Sequence, residues 1–458
     1  MVITISNVLT VENPTTELKQ WCKRNLVIAN QDYIKKSRMG FYVGNTSRYI
    51  SLYEIRGDEL ILPYGTLSLI PKEITANALI ISDFSPSETI DYQSDISLYD
   101  YQKDAVEAMI RAKYGILQSP AGSGKTTVAI ALAIALKRKT LWLCHTLDLV
   151  KQSKERAEQY IDKNLIGTIS EGKVDIGKGM TFATVQTMCR LDLQRYKNEW
   201  DVCIVDEVHR VSGSPTRVTQ YQKVLNNLSA RHKYGLSATV HRSDGMIEAT
   251  YALIGKIAYN VPKEAVADKI MQVGIKEIDT GIQESRECLN TDGTINYTKL
   301  ISYLTENKER NLLIAHSIEV GKSSLILSDR LEQLSILKDI LPYGELDKAV
   351  MISGKTDKLE REKALDEMRK GNKMYLFATY ALAKEGLDIP CLERLYMASP
   401  VKDYAVVTQS IGRIARTYEG KSEPICYDFV DKIAFLVKAN RERRRHYKKE
   451  GCYFVDNS

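Results

Sequence analysis

A run of small residues ends in a lysine and two hydroxyls: Ser119-Pro120-Ala121-Gly122-Ser123-Gly124-Lys125-Thr126-Thr127. A glycine-rich turn exposes backbone N–H groups, and a helix starting at its end adds the positive pole of its dipole, so the segment suits phosphate oxygens. Gly122, Ser123 and Gly124 form the cradle. Lys125 is expected to reach the β- and γ-phosphates of ATP, and the Thr126 hydroxyl to hold Mg2+, with Thr127 beside it. The first position departs from the strict pattern, with Ser119 in place of Gly or Ala. Downstream, Asp206-Glu207-Val208-His209 follows the apolar run Val202-Cys203-Ile204-Val205. Strand ends are where a doubly wound sheet puts catalytic groups. Asp206 is expected to bind Mg2+, directly or through water, and Glu207 to polarise the attacking water as general base. His209 has no second His or Cys at ligand spacing, so it reads as a hydrogen-bonding residue that senses the ATP site, not as a metal ligand.

These groups need strands and helices to hold them. A short apolar strand over 114–118 runs into the glycine loop, and an Ala/Ile/Leu-rich helix follows over 125–137. Further strands are expected over 140–145, 180–184, 202–205 and 234–237. A second alternating series follows, with strands over 324–327, 349–353, 374–378, 394–397 and 424–429 and helices over 357–370 and 404–416. Apolar strands alternating with helices imply parallel sheets covered on both faces. The expected fold class is α/β: two tandem parallel-sheet lobes over 96–255 and 311–436. The more polar 256–310 is read as the connection between them and 437–458 as a basic C-terminal tail. Residues 1–95 differ. Short β-like runs over 40–43, 48–53 and 59–62, separated by Gly- and Asp-rich breaks, suggest a small α+β module.

The chain's 458 residues, 44% hydrophobic and 27% charged, fit an ordinary soluble protein of about three domains. The net charge of +6 permits a polyanionic partner without requiring one. Eight scattered cysteines with no C-x-x-C pair argue against a zinc site and a secreted disulfide scaffold. They are expected to be reduced and buried. Met1-Val2-Ile3-Thr4 is not a basic segment before an apolar core, so no signal peptide is expected. No apolar run reaches the ~18 residues of a membrane span. A cytoplasmic location is expected, the host cytoplasm if the chain is phage-encoded.

Taken in order, the segments resemble superfamily 2 helicases over 96–435. Leu98-Tyr99-Asp100-Tyr101-Gln102 is similar to the adenine-reading element, with Gln102 as the base contact. Ser237-Ala238-Thr239 is similar to the segment that couples ATP state to nucleic acid. Ala378-Thr379 through Gly386-Leu387-Asp388-Ile389-Pro390 resembles the fifth motif, which touches both ATP and the strand. Gln409 to Arg416 fits Q-x-x-G-R-x-x-R, and the resemblance makes Arg413 and Arg416 fingers on the γ-phosphate. It implies two RecA-like lobes that close on ATP. D-E-V-H, and a sixth motif that begins with Gln409, separate the chain from the DEAD-box RNA helicases. Ala415 stands where DEAH RNA helicases usually carry Gly. The run from Ser237 to Asp244 is similar to the XPB-type helicases, whose R-E-D triplet falls on Arg242, Ser243 and Asp244, with Ser243 replacing Glu. His209, Ser237, Thr239 and Arg242 are thereby the expected coupling residues. The N-terminal module also makes the chain similar to phage helicases of the UvsW type, which reshape branched DNA.

Such motors mostly grip the phosphate backbone. The motif matches put Thr146, Thr184, Gln186 and Thr379 on the strand. Lys35, Lys36 and Arg38 form a candidate duplex-facing patch, and Arg444 and Arg445 belong to a dense basic run suited to phosphate. The resemblance implies a nucleic-acid-stimulated ATPase that branch-migrates junctions and regresses forks in recombination, replication and repair. Its partners would be branched or forked DNA and other replication or recombination proteins. The alternatives are a general duplex translocase or RNA helicase, or the motor subunit of a restriction-type complex.

Overall fold

The computed structural model describes residues 1–85, 88–120, 122–238, 246–384, 387, 389–401 and 403–455. The chain forms two compact units, with the division after Ala265.

The first unit is built on an eight-stranded sheet. Its order is Lys173–Asp175, Ile166–Ser170, Met180–Thr184, Thr140–Cys144, Val202–Val205, His232–Ser237, Tyr114–Gln118, Ile257–Asn260. Only the first pair is antiparallel. The strands Thr140–Cys144, Met180–Thr184 and Val202–Val205 are buried throughout. This is why they read as unbroken apolar runs rather than alternating ones. Helix Lys125–Leu136 buries six consecutive residues from Val128 to Ala133. It is sandwiched in the core and not laid on the surface. All strand ends that carry candidate groups lie on one edge: Ser237 is in register with Gln118, Val205 with Leu143, and Thr184 with Cys144.

The N-terminal residues add a second, five-stranded sheet ordered Glu54–Arg56, Glu59–Pro63, Val8–Glu12, Val2–Ile5, Leu79–Ser82. It does not stand apart. Ile3, Leu9 and Leu62 share a core with Val218, Ala249 and Ala252 of the parallel-sheet lobe. Each fully buried aliphatic side chain contributes ~1.5–3 kcal/mol. The buried Lys233 ammonium donates to Asn7 O at 2.9 Å and Leu225 O at 2.7 Å. Residues 40–43, expected as a β-like run, are a loop. Gly40, at φ 67°, turns the chain out of helix Gln31–Arg38 before a strand can form.

The second unit holds a seven-stranded parallel sheet ordered Ala349–Ile352, Tyr375–Thr379, Ser324–Ser328, Arg394–Met397, Ile425–Lys432, Gly274–Gln283, Tyr453–Phe454. The fold class is the expected α/β, with two parallel-strand sheets consistent with RecA-like lobes. Within 256–310, Ile257–Asn260 and Gly274–Gln283 are strands of the two sheets. Both lie near sheet edges and are partly exposed, which gives the segment its polar look. The residues read as a tail form helix Ala434–Glu450 and an edge strand. Arg443 is buried on Asp428 through two bonds of 2.9 Å, and Tyr447 Oη donates to the same carboxylate at 2.8 Å. A second buried pair joins Arg310 to Asp431 at 2.8 Å, with Arg310 Nη1 on Ala398 O. All eight cysteines are free, five of them buried. Among the described residues no helix is long and apolar enough to cross a membrane.

Candidate nucleotide site and coupling elements

Strand Tyr114–Gln118 delivers the glycine loop to the sheet edge, and Gly124 caps the following helix at φ 79°, a left-handed value. A side chain there would be strained, and a Cβ would stand 2.7 Å from Gln102 Nε2. Gln102 thus lies against the loop. Its Oε1 accepts from Tyr99 N at 3.1 Å and closes the first turn of helix Asp100–Ala112. The carboxamide is therefore held between the helix start and the phosphate loop.

Asp206 follows strand Val202–Val205 and is buried. Its Oδ1 accepts from Glu207 N at 2.9 Å, its Oδ2 from Ser153 Oγ at 3.3 Å, and its own N–H donates to Leu143 O. Glu207 sits at φ 46°, sparsely populated backbone for a residue with a side chain. The turn aims the carboxylate at His209, whose Nδ1 is 3.2 Å from Glu207 Oε2 and 3.1 Å from Ser237 Oγ. One imidazole nitrogen thus bridges the acidic segment and the end of the neighbouring strand. Ser237 O in turn accepts from Ser119 N at 3.0 Å, at the start of the glycine loop.

The electrostatics of the two carboxyls diverge. Burial and the adjacent Glu207 charge push Asp206 up, against the pull of Lys125. Burial also raises Glu207, but the bond to and charge of His209, then Lys125 and Arg210, outweigh it and hold that carboxyl low. Lys125 acts on both, so the loop lysine and the acidic pair share one site. A cradle closed to a Cβ at Gly124, a helix start bearing Thr126, and a buried carboxyl raised by burial and by its acidic neighbour, and therefore stabilised by a cation, fit a nucleotide phosphate with Mg2+. That ion typically takes one or two carboxylates and completes its shell with phosphates and water. Among the described residues no cluster of three His, Cys, Asp or Glu could hold a metal by itself.

The expected strand-contact hydroxyls also cap helices. Thr146 accepts from Leu149 N, and Thr184 accepts from Thr187 N while bonding Thr187 Oγ1 at 2.9 Å. Gln186 is tied to His145, reaching its carbonyl at 2.8 Å and its Nδ1 at 3.1 Å. The same sheet edge therefore carries both the phosphate site and these polar groups.

In the second unit, helix Tyr404–Ile414 is capped by Asp403 and carries Gln409 and Arg413. Arg413 donates from Nε to Ala383 O at 2.9 Å and from Nη1 to Leu387 O at 3.1 Å. It is therefore bonded to the segment resembling the fifth motif. Arg416 lies just past the helix in a bridge with Ile270. Its carbonyl and that of Ile414 accept from Lys421 Nζ at 2.7 and 2.6 Å. Burial lowers that ammonium to about 8. Thr379 ends strand Tyr375–Thr379. Lys35, Lys36 and Arg38 ride on helix Gln31–Arg38, and Arg444 and Arg445 are exposed on helix Ala434–Glu450. Gly386, Asp388, Thr239 and Arg242 lie outside the described residues. Ser153, Arg210 and Lys421 were not singled out in the sequence. Ser153 acts on a group brought near only by the fold, whereas Arg210 and Lys421 act within a few residues of Glu207 and Arg416, where no recognised spacing marks them.

Comparison with known proteins places these elements. Residues 95–242 match the family described as "Type III restriction enzyme, res subunit", and residues 299–418 match "Helicase conserved C-terminal domain". A DNA 3'-5' translocase named XPB2 from Sulfurisphaera tokodaii is 28% identical over 410 residues, covering 82% of this chain and 90% of that one. A putative ATP-dependent RNA helicase of Acanthamoeba polyphaga mimivirus is 28% identical over 362 residues, covering 76% and 66%. A probable helicase of Escherichia phage T5 is 26% identical over 338 residues, covering 73% and 72%. Among solved structures, S. cerevisiae Dbp5 bound to RNA and ADP BeF3 shares the fold with a TM-score of 0.54 at 17% identity, covering 78% of this chain and 89% of that one. The crystal structure of T4 UvsW aligns over 99% of both chains at 20% identity with a TM-score of 0.43.

Proposed function

We propose, for a chain that is a superfamily 2 helicase resembling the XPB group and an ATP-dependent nucleic-acid helicase, that its substrate is branched or forked DNA, which it remodels by junction migration and fork regression. The observation that carries the ATP-driven part is the contact from Glu207 through His209 to Ser237, with the charge of Lys125 acting on both Asp206 and Glu207. Lys125 binds the β/γ-phosphates, with Thr126 and Asp206 holding Mg2+, which when bound neutralises charge on the phosphate oxygens. Glu207 orients the attacking water. Arg413 and Arg416 are the proposed fingers on the γ-phosphate, and hydrolysis depends on nucleic acid. His209 relays the state of Glu207 to Ser237.

The branched-DNA part is supported by basic surface outside the ATP site. Lys35 and Arg38 are exposed on the N-terminal module. In the second unit Lys432, which is paired with Asp279 at 2.8 Å, Lys438, Arg441 and Arg445 line, with one carboxylate from Glu442, a cleft of about 630 Å³ in which cations outnumber acids. A duplex translocase without branch preference is the second reading, supported by the archaeal relative named a translocase. ATPase rate and strand displacement on matched single strand, blunt duplex, fork, four-way junction and RNA duplex separate them. Forks and junctions should lead. Equal stimulation by blunt duplex or RNA would remove the branched-DNA role and leave the motor.

A further inference from the structure

Helix Gln31–Arg38 ends on Gly40 with two bonds, Gly40 N to Ser37 O at 3.2 Å and Phe41 N to Lys36 O at 2.9 Å. This double closure fixes the direction in which Phe41 leaves the helix. The loop beyond it is built just as firmly. Lys36 Nζ donates to Thr46 Oγ1 at 2.9 Å, and Thr46 N to Val43 O at 3.0 Å. Asn30 closes the base, its side chain on Ser47 O at 2.8 Å and its N–H on Arg48 O at 3.0 Å. Yet this ordered loop does not bury its large side chains. Met39 is 55% exposed, Phe41 64%, Tyr42 91% and Tyr49 50%. The guanidinium of Arg48 lies 5.4 Å from the Tyr49 ring centroid. The same stretch of chain carries four cations (Lys35, Lys36, Arg38, Arg48), and the only carboxylate between Asn30 and Tyr49 in the sequence is Asp32.

Rings held out on a closed frame in a cation-rich stretch of chain are what an unpaired base and its flanking phosphates require, since any base offers a face to stack on. A paired duplex offers phosphates but no free base faces. We propose that residues 39–49 are a base-stacking element that receives unpaired nucleobases where strands part, with Phe41 and Tyr42 as the platform and Lys35, Arg38 and Arg48 on the adjoining phosphates. The inference rests on the nucleic-acid reading above and goes beyond it by naming the part of the nucleic acid that touches the module.

The test is binding of the full chain, without nucleotide, to fluorescent single strand, fork and blunt duplex, read by anisotropy. F41A/Y42A should weaken single-strand and fork binding by about tenfold or more, since base–aromatic stacking contributes that much per base. Blunt-duplex affinity should be kept. F41W/Y42W should restore fork binding, and a fork with abasic sites at its first unpaired positions should bind the unaltered protein as weakly as F41A/Y42A binds the intact fork. Unchanged thermal unfolding confirms that the exposed substitutions leave the fold intact. Fork binding unaffected by F41A/Y42A overturns the proposal and assigns the patch to a protein surface. An equal loss on blunt duplex overturns it as well, because no unpaired base is then involved. The abasic effect is read without ATP turnover. It can therefore stand when the fork preference of the ATPase fails, and fail when that preference stands.

Discussion

The two parallel sheets present opposite chemistry at their carboxyl edges. In the first unit that edge gathers Lys125, Asp206, Glu207, His209 and Ser237, with one carboxyl pushed up, its neighbour held down, and Glu207 on left-handed backbone. In the second unit several charges are buried in pairs or bonded to backbone. Arg310 is spent on Asp431, Arg443 on Asp428, and Arg413 is bonded to backbone carbonyls. Under the proposed function, one architecture serves once as the reactive edge and once as the support that carries Arg413 and Arg416. Strain and divergent ionisation collect where chemistry is to happen. Satisfied ion pairs collect where shape has to be kept.

The largest expected break in this contrast is at Glu207. Glu207→Gln should lower kcat about 10²–10⁴-fold, the range for a lost general base, while binding of a fluorescent ATP analogue persists. Wild-type turnover in that variant would mean the first edge is not the reactive one. On the rigid side, Arg443→Ala leaves Asp428 buried and unpaired. It should cost about 3–5 kcal/mol, read as a lower midpoint for urea unfolding of the full chain. Lys125→Ala, at the start of helix Lys125–Leu136, should abolish turnover and move that midpoint far less. Similar shifts from the two variants would erase the distinction between carrier and reactive edge.

His209→Ala removes the bridge between Glu207 and Ser237. Stimulation of the ATPase by DNA should fall by up to about tenfold, the scale of one hydrogen bond, with less change in the unstimulated rate. Equal losses in both rates would assign His209 to chemistry and not to coupling. The smallest effect is in pH. Burial, then Arg217 and Arg210, lower His145 from 6.5 to about 4. Between those values the unfolded chain binds the proton and the folded chain resists it. The residue therefore carries no penalty above pH 6.5, and its destabilisation grows as pH falls to 4. His145→Asn should flatten the stability–pH slope over that window. An unchanged slope would mean that His145 titrates alike in both states.

The sheets were legible because strands covered on both faces become continuous apolar runs, as at 140–144 and 202–205. The phosphate loop was legible because its glycines are adjacent in sequence. The last helix was legible as a basic, helix-compatible stretch over 438–449, but its packing into the core was hidden by its charge. Its buried positions, Leu436, Ala439, Asn440, Arg443 and Tyr447, keep helical spacing, but two of them are polar, and the carboxylate that justifies burying Arg443 sits on another strand. Ser153 was invisible for the same reason: its bond to Asp206 spans 53 positions. The 40–43 run shows a different failure. Aromatic and β-branched residues normally favour a strand, and here a glycine turn holds them in solvent.

The proposed function makes Arg416 a finger on the γ-phosphate of ATP bound at Lys125. Single-turnover hydrolysis of prebound ATP by Arg416→Ala in the presence of DNA tests it most directly. The account predicts wild-type nucleotide affinity with hydrolysis slowed about 10³-fold or more, the range of a lost arginine finger. Wild-type hydrolysis, or a loss confined to affinity, would contradict it.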